Sequence, residues 1–167
     1  PLTNPYANGN AWLVQNIHLA EDADEEMMML GTIDTKTELV ADREFEALLP
    51  QHIQLDSTAY IRLSSYKPNH LVYDFHAQTD QTAVFSEIYY DKGWNAYIKG
   101  EKVPYFRANY LLRAMQLKPG DYQIEFKFDP VSYKIGNIIS VISSVLLILC
   151  ILAFAFWRYK SSKNSQQ

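Results

Sequence analysis

Residues 122–128 read Tyr122-Gln123-Ile124-Glu125-Phe126-Lys127-Phe128, an unbroken alternation of apolar and polar side chains. A period of two puts Tyr122, Ile124, Phe126 and Phe128 on one face of a strand and the polar set on the other. Immediately upstream, Lys118-Pro119-Gly120-Asp121 is turn chemistry, and Leu111–Leu117 before it reads as another strand. Trp94–Ile98 and Lys102–Phe106 form a hairpin around Lys99-Gly100-Glu101. Thr82–Tyr90 is apolar on both faces, as a central strand should be. Leu71–Ala77 sets Leu71, Tyr73, Phe75 and Ala77 against Val72, Asp74 and His76, and in Tyr60–Ser65, Ile61 and Leu63 oppose Arg62 and Ser64. Short strands at this spacing, joined by Gly/Pro turns, predict a mainly β fold: an antiparallel β-sandwich of jelly-roll or immunoglobulin-like type.

Two short N-terminal helices are expected beside it. Asp22–Leu30 has acidic residues in its first turn, where they suit the helix dipole, and Gly31 stands where a left-handed cap belongs. Asp42–Leu49 has Asp42 as its cap and Pro50 as its stop. Ala11–Leu19 reads as one strand with apolar residues on both faces, and Glu38–Ala41 as a short one.

Downstream of the alternating strand the character changes. Ile135–Trp157 carries no charge and is rich in Ile, Leu, Val and Phe. At about 1.5 Å per residue a helix of that length crosses a hydrocarbon layer of ~30 Å. Tyr133 at one end and Trp157 with Tyr159 at the other fit interfacial aromatic belts. The expected organisation is a β-sandwich domain over residues 1–133, a transmembrane helix over 134–157 and a basic, polar tail over 158–167. Arg158, Lys160 and Lys163 follow the span and only Lys134 lies just before it. The positive-inside rule therefore places the tail in the cytoplasm and the sandwich outside. The chain opens Pro-Leu-Thr-Asn-Pro, without an initiator Met or an export signal. It is therefore expected to be the C-terminal part of a larger protein. Gly136, Ser140 and Ser144 form a small-residue stripe that suits packing against other transmembrane helices.

The formal net charge is only −4 and the basic residues are dispersed, which speaks against nucleic-acid binding. The single cysteine, Cys150, lies in the span, so no disulfide supports the outer domain. Together with the lack of an Asn-x-Ser/Thr site, this leans towards a bacterial envelope protein.

Catalytic patterns are missing. His18, His52, His70 and His76 have no metal-ligand spacing, and the acidic run Glu21, Asp22, Asp24, Glu25, Glu26 lacks a calcium-loop pattern and reads as a solvated helix start. No metal or cofactor is called for. One constellation is suggestive. If Arg107 to Arg113 is extended, Arg107, Asn109 and Arg113 share a face, and two guanidinium forks flanking an amide suit a phosphate, a carboxylate or sugar hydroxyls. The alternative is a sheet face whose arginines pair with Glu87, Asp91 or Glu101. Tyr89, Tyr90 and Trp94 cluster beside the turn Asp91-Lys92-Gly93 and suit stacking on sugar rings, although Trp94 shares a face with Ala96 and Ile98, as a core tryptophan would.

The sequence Val84-Phe-Ser-Glu-Ile-Tyr-Tyr90, Gly93-Trp94, Tyr97-Ile-Lys-Gly100, Val103-Pro104, Arg107-Ala-Asn-Tyr110 and Leu112-Arg113-Ala114 resembles the C-terminal region of the bacterial YfhO family. So do the opening Asn4-Pro5-Tyr6-Ala7-x-Gly9-Asn10-Ala11-Trp12, Pro119-Gly120, Glu125-Phe-x-Phe-x-Pro130 and the Ile-Gly start of the span. The resemblance implies a large polytopic membrane protein related to the glycosyltransferase C superfamily, which uses a polyprenyl-phosphate sugar on the outer side of the membrane in glycosylating envelope polymers. This chain would then be an accessory domain plus the last helix. The superfamily's catalytic acid belongs to an early loop, so no catalytic residue carries over. Glu87, Tyr90, Trp94, Arg107, Asn109 and Arg113 match the family pattern. With Tyr89 they are the candidate ligand-binding residues, and the expected partners are membrane lipid, neighbouring transmembrane helices and a glycan or polyprenyl-phosphate sugar. A purely structural module docked on the other spans and a single-span surface receptor or adhesin are the rival readings.

Overall fold

The computed structural model describes residues 7–50 and 56–164. The opening Asn4-Pro5-Tyr6, His52, the last three residues of the tail and the side chains beyond Arg158 lie outside that range, and with them most of the expected cytoplasmic tail. The chain divides into two compact units, Pro1–Phe128 and Asp129–Gln167.

The first unit is built from two sheets. Strands β1 (Ala11–Val14), β2 (Asn16–Ala20), β3 (Glu38–Asp42), β6 (Gln81–Ile88), β9 (Phe106–Ala108) and β10 (Leu112–Leu117) form one, in the order β1-β6-β10-β9-β3-β2. Strands β4 (Tyr60–Lys67), β5 (His70–Ala77), β7 (Trp94–Ile98), β8 (Glu101–Val103) and β11 (Gly120–Phe128) form the other, in the order β4-β5-β11-β7-β8. The expected mainly β, two-sheet fold is what the chain adopts. Its alternation is read out faithfully: β11 lies in the middle of its sheet with Ile124 and Phe126 fully buried, and Leu71, Tyr73, Phe75 and Ala77 are buried opposite it on β5.

The six-stranded sheet is apolar on both faces because it serves two cores. Ala83, Phe85, Met115 and Leu117 face the other sheet, where they meet Tyr73, Ile124 and Phe126. Val84, Ala114, Phe106 and Ala108 point the other way, into a second cluster with Val14, Leu39 and Ala41 that Phe45, Leu48 and Leu49 cover. Phe85 and Phe126 meet edge-on at 4.9 Å, as do Tyr73 and Phe85 at 4.8 Å, the arrangement that aromatic quadrupoles favour.

Five details depart from expectation. Ala11–Leu19 is not one strand. It breaks at Gln15, and its halves lie at opposite ends of the strand order, because the amides of Gln15 and Asn16 both donate to Thr37 O at 2.7 and 3.2 Å. One residue thus joins the two borders of the sheet, and the β2–β3 pair is parallel in an otherwise antiparallel fold. Helix α1 (Ala23–Leu30) is capped by Asp22, which accepts from Glu25 N, but Gly31 is right-handed (φ −72°) and ends the helix without a left-handed turn. Asp42–Leu49 is a tighter 3-10 turn over Arg43–Leu48, with Asp42 accepting from Glu44 N. The hairpin strand ends at Val103, since Pro104 has no amide for the ladder, and Phe106 opens β9 in the opposite sheet. Phe128, at the strand end, is 40% exposed rather than inward.

The second unit is a single helix, α2 (Val131–Asn164), of which Val131–Arg158 is long and apolar enough to cross a membrane. From Ile135 through Trp157 its residues are apolar all round, a composition that suits lipid. Ser144 Oγ donates to Ser140 O at 2.8 Å, so one hydroxyl of the small-residue stripe is satisfied within the helix.

Phe85→Ala or Phe126→Ala empties the inter-sheet core and should cost about 3–5 kcal/mol, whereas Gln123→Ala on the exposed face of β11 should change stability by less than ~0.5 kcal/mol; denaturant unfolding measures both. Acid should also unfold the domain. The Lys127 ammonium and then the His70 ring hold the Glu125 carboxyl below its ordinary 4.5, and the Thr58 hydroxyl with the Gln78 and Thr58 amides holds Asp56 down to about 2 from 3.8. Both folded values are depressed, so this stabilisation is complete above the ordinary values and is lost as pH falls from there towards about 2. Glu125→Gln should make the decline shallower in a pH series of thermal melts.

Candidate functional site

The segment Phe106 to Arg113 does not run straight. Asn109 and Tyr110 both have left-handed backbones (φ 51° and 70°), so the chain reverses between β9 and β10. Arg107 and Arg113 still share a sheet face, but as direct cross-strand partners and not as positions along one strand. From there they diverge.

Arg113 turns into the fold and is only 2% exposed. Its Nε donates to Ile88 O at 2.9 Å, and its guanidinium lies 4.3 Å from the Trp94 ring centroid and 5.2 Å from that of Phe126. Its Nη1 has no hydrogen-bond partner. Burial lowers the Arg113 pKa from its ordinary value, and the nearby Tyr105, Glu87 and Tyr73 act against that shift. The aromatic faces stand in for water around a weakly hydrated cation.

Arg107 is drawn to acids, though not those expected. Its Nη1 donates to Glu26 at 2.7 Å and to Tyr110 O at 2.9 Å, while Nη2 reaches Asp42 at 3.3 Å and Glu44 at 3.6 Å. Glu26 is the residue that sequence reasoning missed. Read as part of a solvated helix start, it is fully buried, with one oxygen on Arg107 and the other accepting from Tyr110 N at 2.7 Å. The signal lay in helical spacing: Glu26, Met29 and Leu30 fall on the face of α1 turned away from solvent, and Met27 and Met28 are exposed. Asn109 completes the arrangement. Its Oδ1 accepts from Val40 N at 2.9 Å and its own amide donates to Val40 O at 2.8 Å, which ties the turn to β3.

The aromatic candidates separate in the same way. Tyr89 is half-buried, edge-on to Phe45 at 5.9 Å and Tyr105 at 5.4 Å, and burial raises its pKa. Trp94 is half-buried between Arg113 and Phe128. The Tyr105 hydroxyl donates to the carbonyls of Tyr90 and Trp94, and burial pushes its pKa up to about 12. Glu87 makes no ion pair with either arginine; its charge acts on Arg113 and Tyr73 from a distance. Tyr90 alone of the three aromatics is open, at 48%. No group of three or more potential metal ligands exists among the described residues. His18, His70 and His76 each pair with one carboxylate, of Glu38, Glu125 and Asp121 respectively. A cleft of about 500 Å³ opens elsewhere, lined by Ile98, Val103, Phe106, Pro119 and Tyr122 with Lys99 and Lys118. None of the candidate residues lines it.

The family described as Bacterial membrane protein YfhO matches residues 43–140, more than half of the chain. The Bacillus subtilis (strain 168) protein named Uncharacterized protein YfhO is 26% identical over 121 residues, which is 72% of this chain and 14% of that protein. The chain therefore aligns with a small part of its relative's length. No solved structure matches.

The arginine turn should respond to its buried partner more than to surface charge. Glu26→Gln keeps the shape but leaves the Arg107 cation without its closest counter-charge, and about 3–5 kcal/mol should be lost. Asp24→Asn, exposed on the same helix, should cost under ~0.5 kcal/mol. Equilibrium unfolding of the two variants compares them directly.

Proposed function

We propose, for a chain that belongs to the YfhO family of bacterial membrane proteins, that residues 1–133 are an extracytoplasmic accessory domain of a larger, polytopic, glycosyltransferase-like protein. Residues 134–157 cross the inner membrane and 158–167 lie in the cytoplasm. Transfer of sugar from a polyprenyl-phosphate carrier belongs to parts of the parent outside this chain; the small share of the relative that the chain covers supports this division. The domain's own contribution is structural: it gives the membrane portion a rigid β platform. One observation carries that reading. Both terminal nitrogens of Arg107, the Oδ1 of Asn109 and the Nε of Arg113 are engaged inside the fold, on Glu26, Asp42, Tyr110, Val40 and Ile88, where a ligand would have to displace them.

Positioning of a glycan is the second reading, and Tyr90 favours it. A phenol 48% exposed beside Asp91 and Lys92 suits stacking on a sugar. Substitution in the parent protein separates the two. On the structural reading, Glu26→Gln lowers the amount of folded protein in membranes while sugar incorporation per folded molecule is kept, and Tyr90→Ala changes neither. A Tyr90→Ala protein that accumulates normally but loses tenfold or more of its sugar incorporation would replace the platform with glycan positioning.

A further inference from the structure

The two ends of the sandwich differ in character. At one end lie the turns between β5 and β6, β7 and β8, and β10 and β11, made of Gln78-Thr79-Asp80, Lys99-Gly100 and Lys118-Pro119. The exposed large apolar residue near that end, Tyr60, stacks on His76 at 5.7 Å. At the other end lie the close of β4, β6 and β11 and the β9–β10 turn, and here Tyr66, Ile88, Tyr90, Tyr110, Leu111 and Phe128 are all exposed, Ile88 by 65% and Tyr66 by 63%. Contacts bind these elements into one surface. Ile88 pairs with Leu112, Arg113 joins Ile88 O to the Trp94 ring, Trp94 stands 5.4 Å from Phe128, and Phe128 N donates to Asn69 O beyond Tyr66. Lys67, Asp91 and Lys92 are exposed among them.

The Tyr110-Leu111 tip is held there against its own preference. A tyrosine at φ 70° is a backbone outlier. It persists because Glu26 grips its amide and Arg107 its carbonyl. Apolar side chains kept outward on a strained, fixed turn form a prepared contact surface.

Chain connectivity decides what the surface meets. Only Asp129 and Pro130 separate Phe128 from α2, and the uncharged stretch begins at Ile135. That link keeps Phe128 within roughly 17 Å of Ile135 at whatever angle the two units meet. With Ile135 at the hydrocarbon boundary, this end of the sandwich is tethered close to the headgroups. We propose that Tyr66, Ile88, Tyr90, Tyr110, Leu111 and Phe128 seat the domain on the phospholipid surface. The tyrosines lie at headgroup level, the aliphatic side chains enter the acyl boundary, and Lys67 and Lys92 meet lipid phosphates. The inference rests on α2 being a span and is independent of any glycan role.

The full chain with Cys150→Ser, in nanodiscs of phosphatidylcholine and phosphatidylglycerol, carries a fluorophore on Leu111→Cys, Ile88→Cys, Glu101→Cys or Val145→Cys; β-sheet circular dichroism confirms folding. Val145 reports the span itself, so failure of that premise shows separately as a label beyond the reach of tail-borne quencher. Labels at 88 and 111 should be quenched at least twofold more by lipids with a nitroxide near the headgroup than the label at 101, and should be shielded from iodide. Iodide quenching at 88 and 111 equal to that at 101 overturns the proposal. Shielding from both quenchers also overturns it, since the surface is then covered by protein.

Discussion

The arrangement of the β9–β10 corner depends on one carboxylate removed from water. Glu26 is buried by the packing of α1 on the edge of the six-stranded sheet, and an ionised carboxylate pays heavily for that unless every lone pair is used. Here both oxygens are used, on the Arg107 guanidinium and the Tyr110 amide, and the latter holds two consecutive non-glycine residues in left-handed backbone. Loss of the acid would leave a cation facing only the more distant carboxylates of Asp42 and Glu44, together with a turn held only by Asn109 on Val40 and Arg107 on the Tyr110 carbonyl. The helix, the turn and the two strands it joins are thus one unit.

A second constraint comes from the sheet that lies between two cores. It can bury apolar residues on both faces only because the β1–β2 segment, bent at Gln15, pairs with β6 along one half and β3 along the other. Val14, Leu39 and Val84 come together on one face as a result. Arg113 is compatible with the opposite, inter-sheet core because Trp94 and Phe126 offer it aromatic faces in place of water.

Much of this was legible in the sequence. Alternation in 71–77 and 122–128 identifies the buried faces, Phe128 at the strand end excepted, and the apolar character of Thr82–Tyr90 on both sides foretells a strand covered twice. The break at Gln15 was not legible, since the run Ala11–Leu19 has the composition of a single strand and only the long-range acceptor Thr37 O divides it. The reversal at Asn109-Tyr110 was hidden for a related reason: no glycine marks it, and the side chain that permits it lies some eighty residues upstream. Charge patterning misled in the same place. Five acidic residues within six positions look solvated, and helical phase alone singles out Glu26. The contacts of Arg107, Asn109, Arg113, Tyr89 and Trp94 are tertiary, so spacing could nominate these residues without saying which faces they turn to.

Closure of the first sheet through Gln15 also governs the order in which the domain can be made. β1 must find β6 across some seventy residues of chain, and the middle strand of the second sheet, β11, is the last strand synthesised before the apolar helix. Most of the hydrogen-bonded partners are therefore distant in sequence, a topology that slows folding because loop entropy is spent before the pairing is gained. The inter-sheet core, which needs Ile124 and Phe126, cannot be completed until β11 has emerged. The last strand of that core ends only two residues ahead of the apolar helix, so completion of the inter-sheet core and arrival of the helix become nearly simultaneous events.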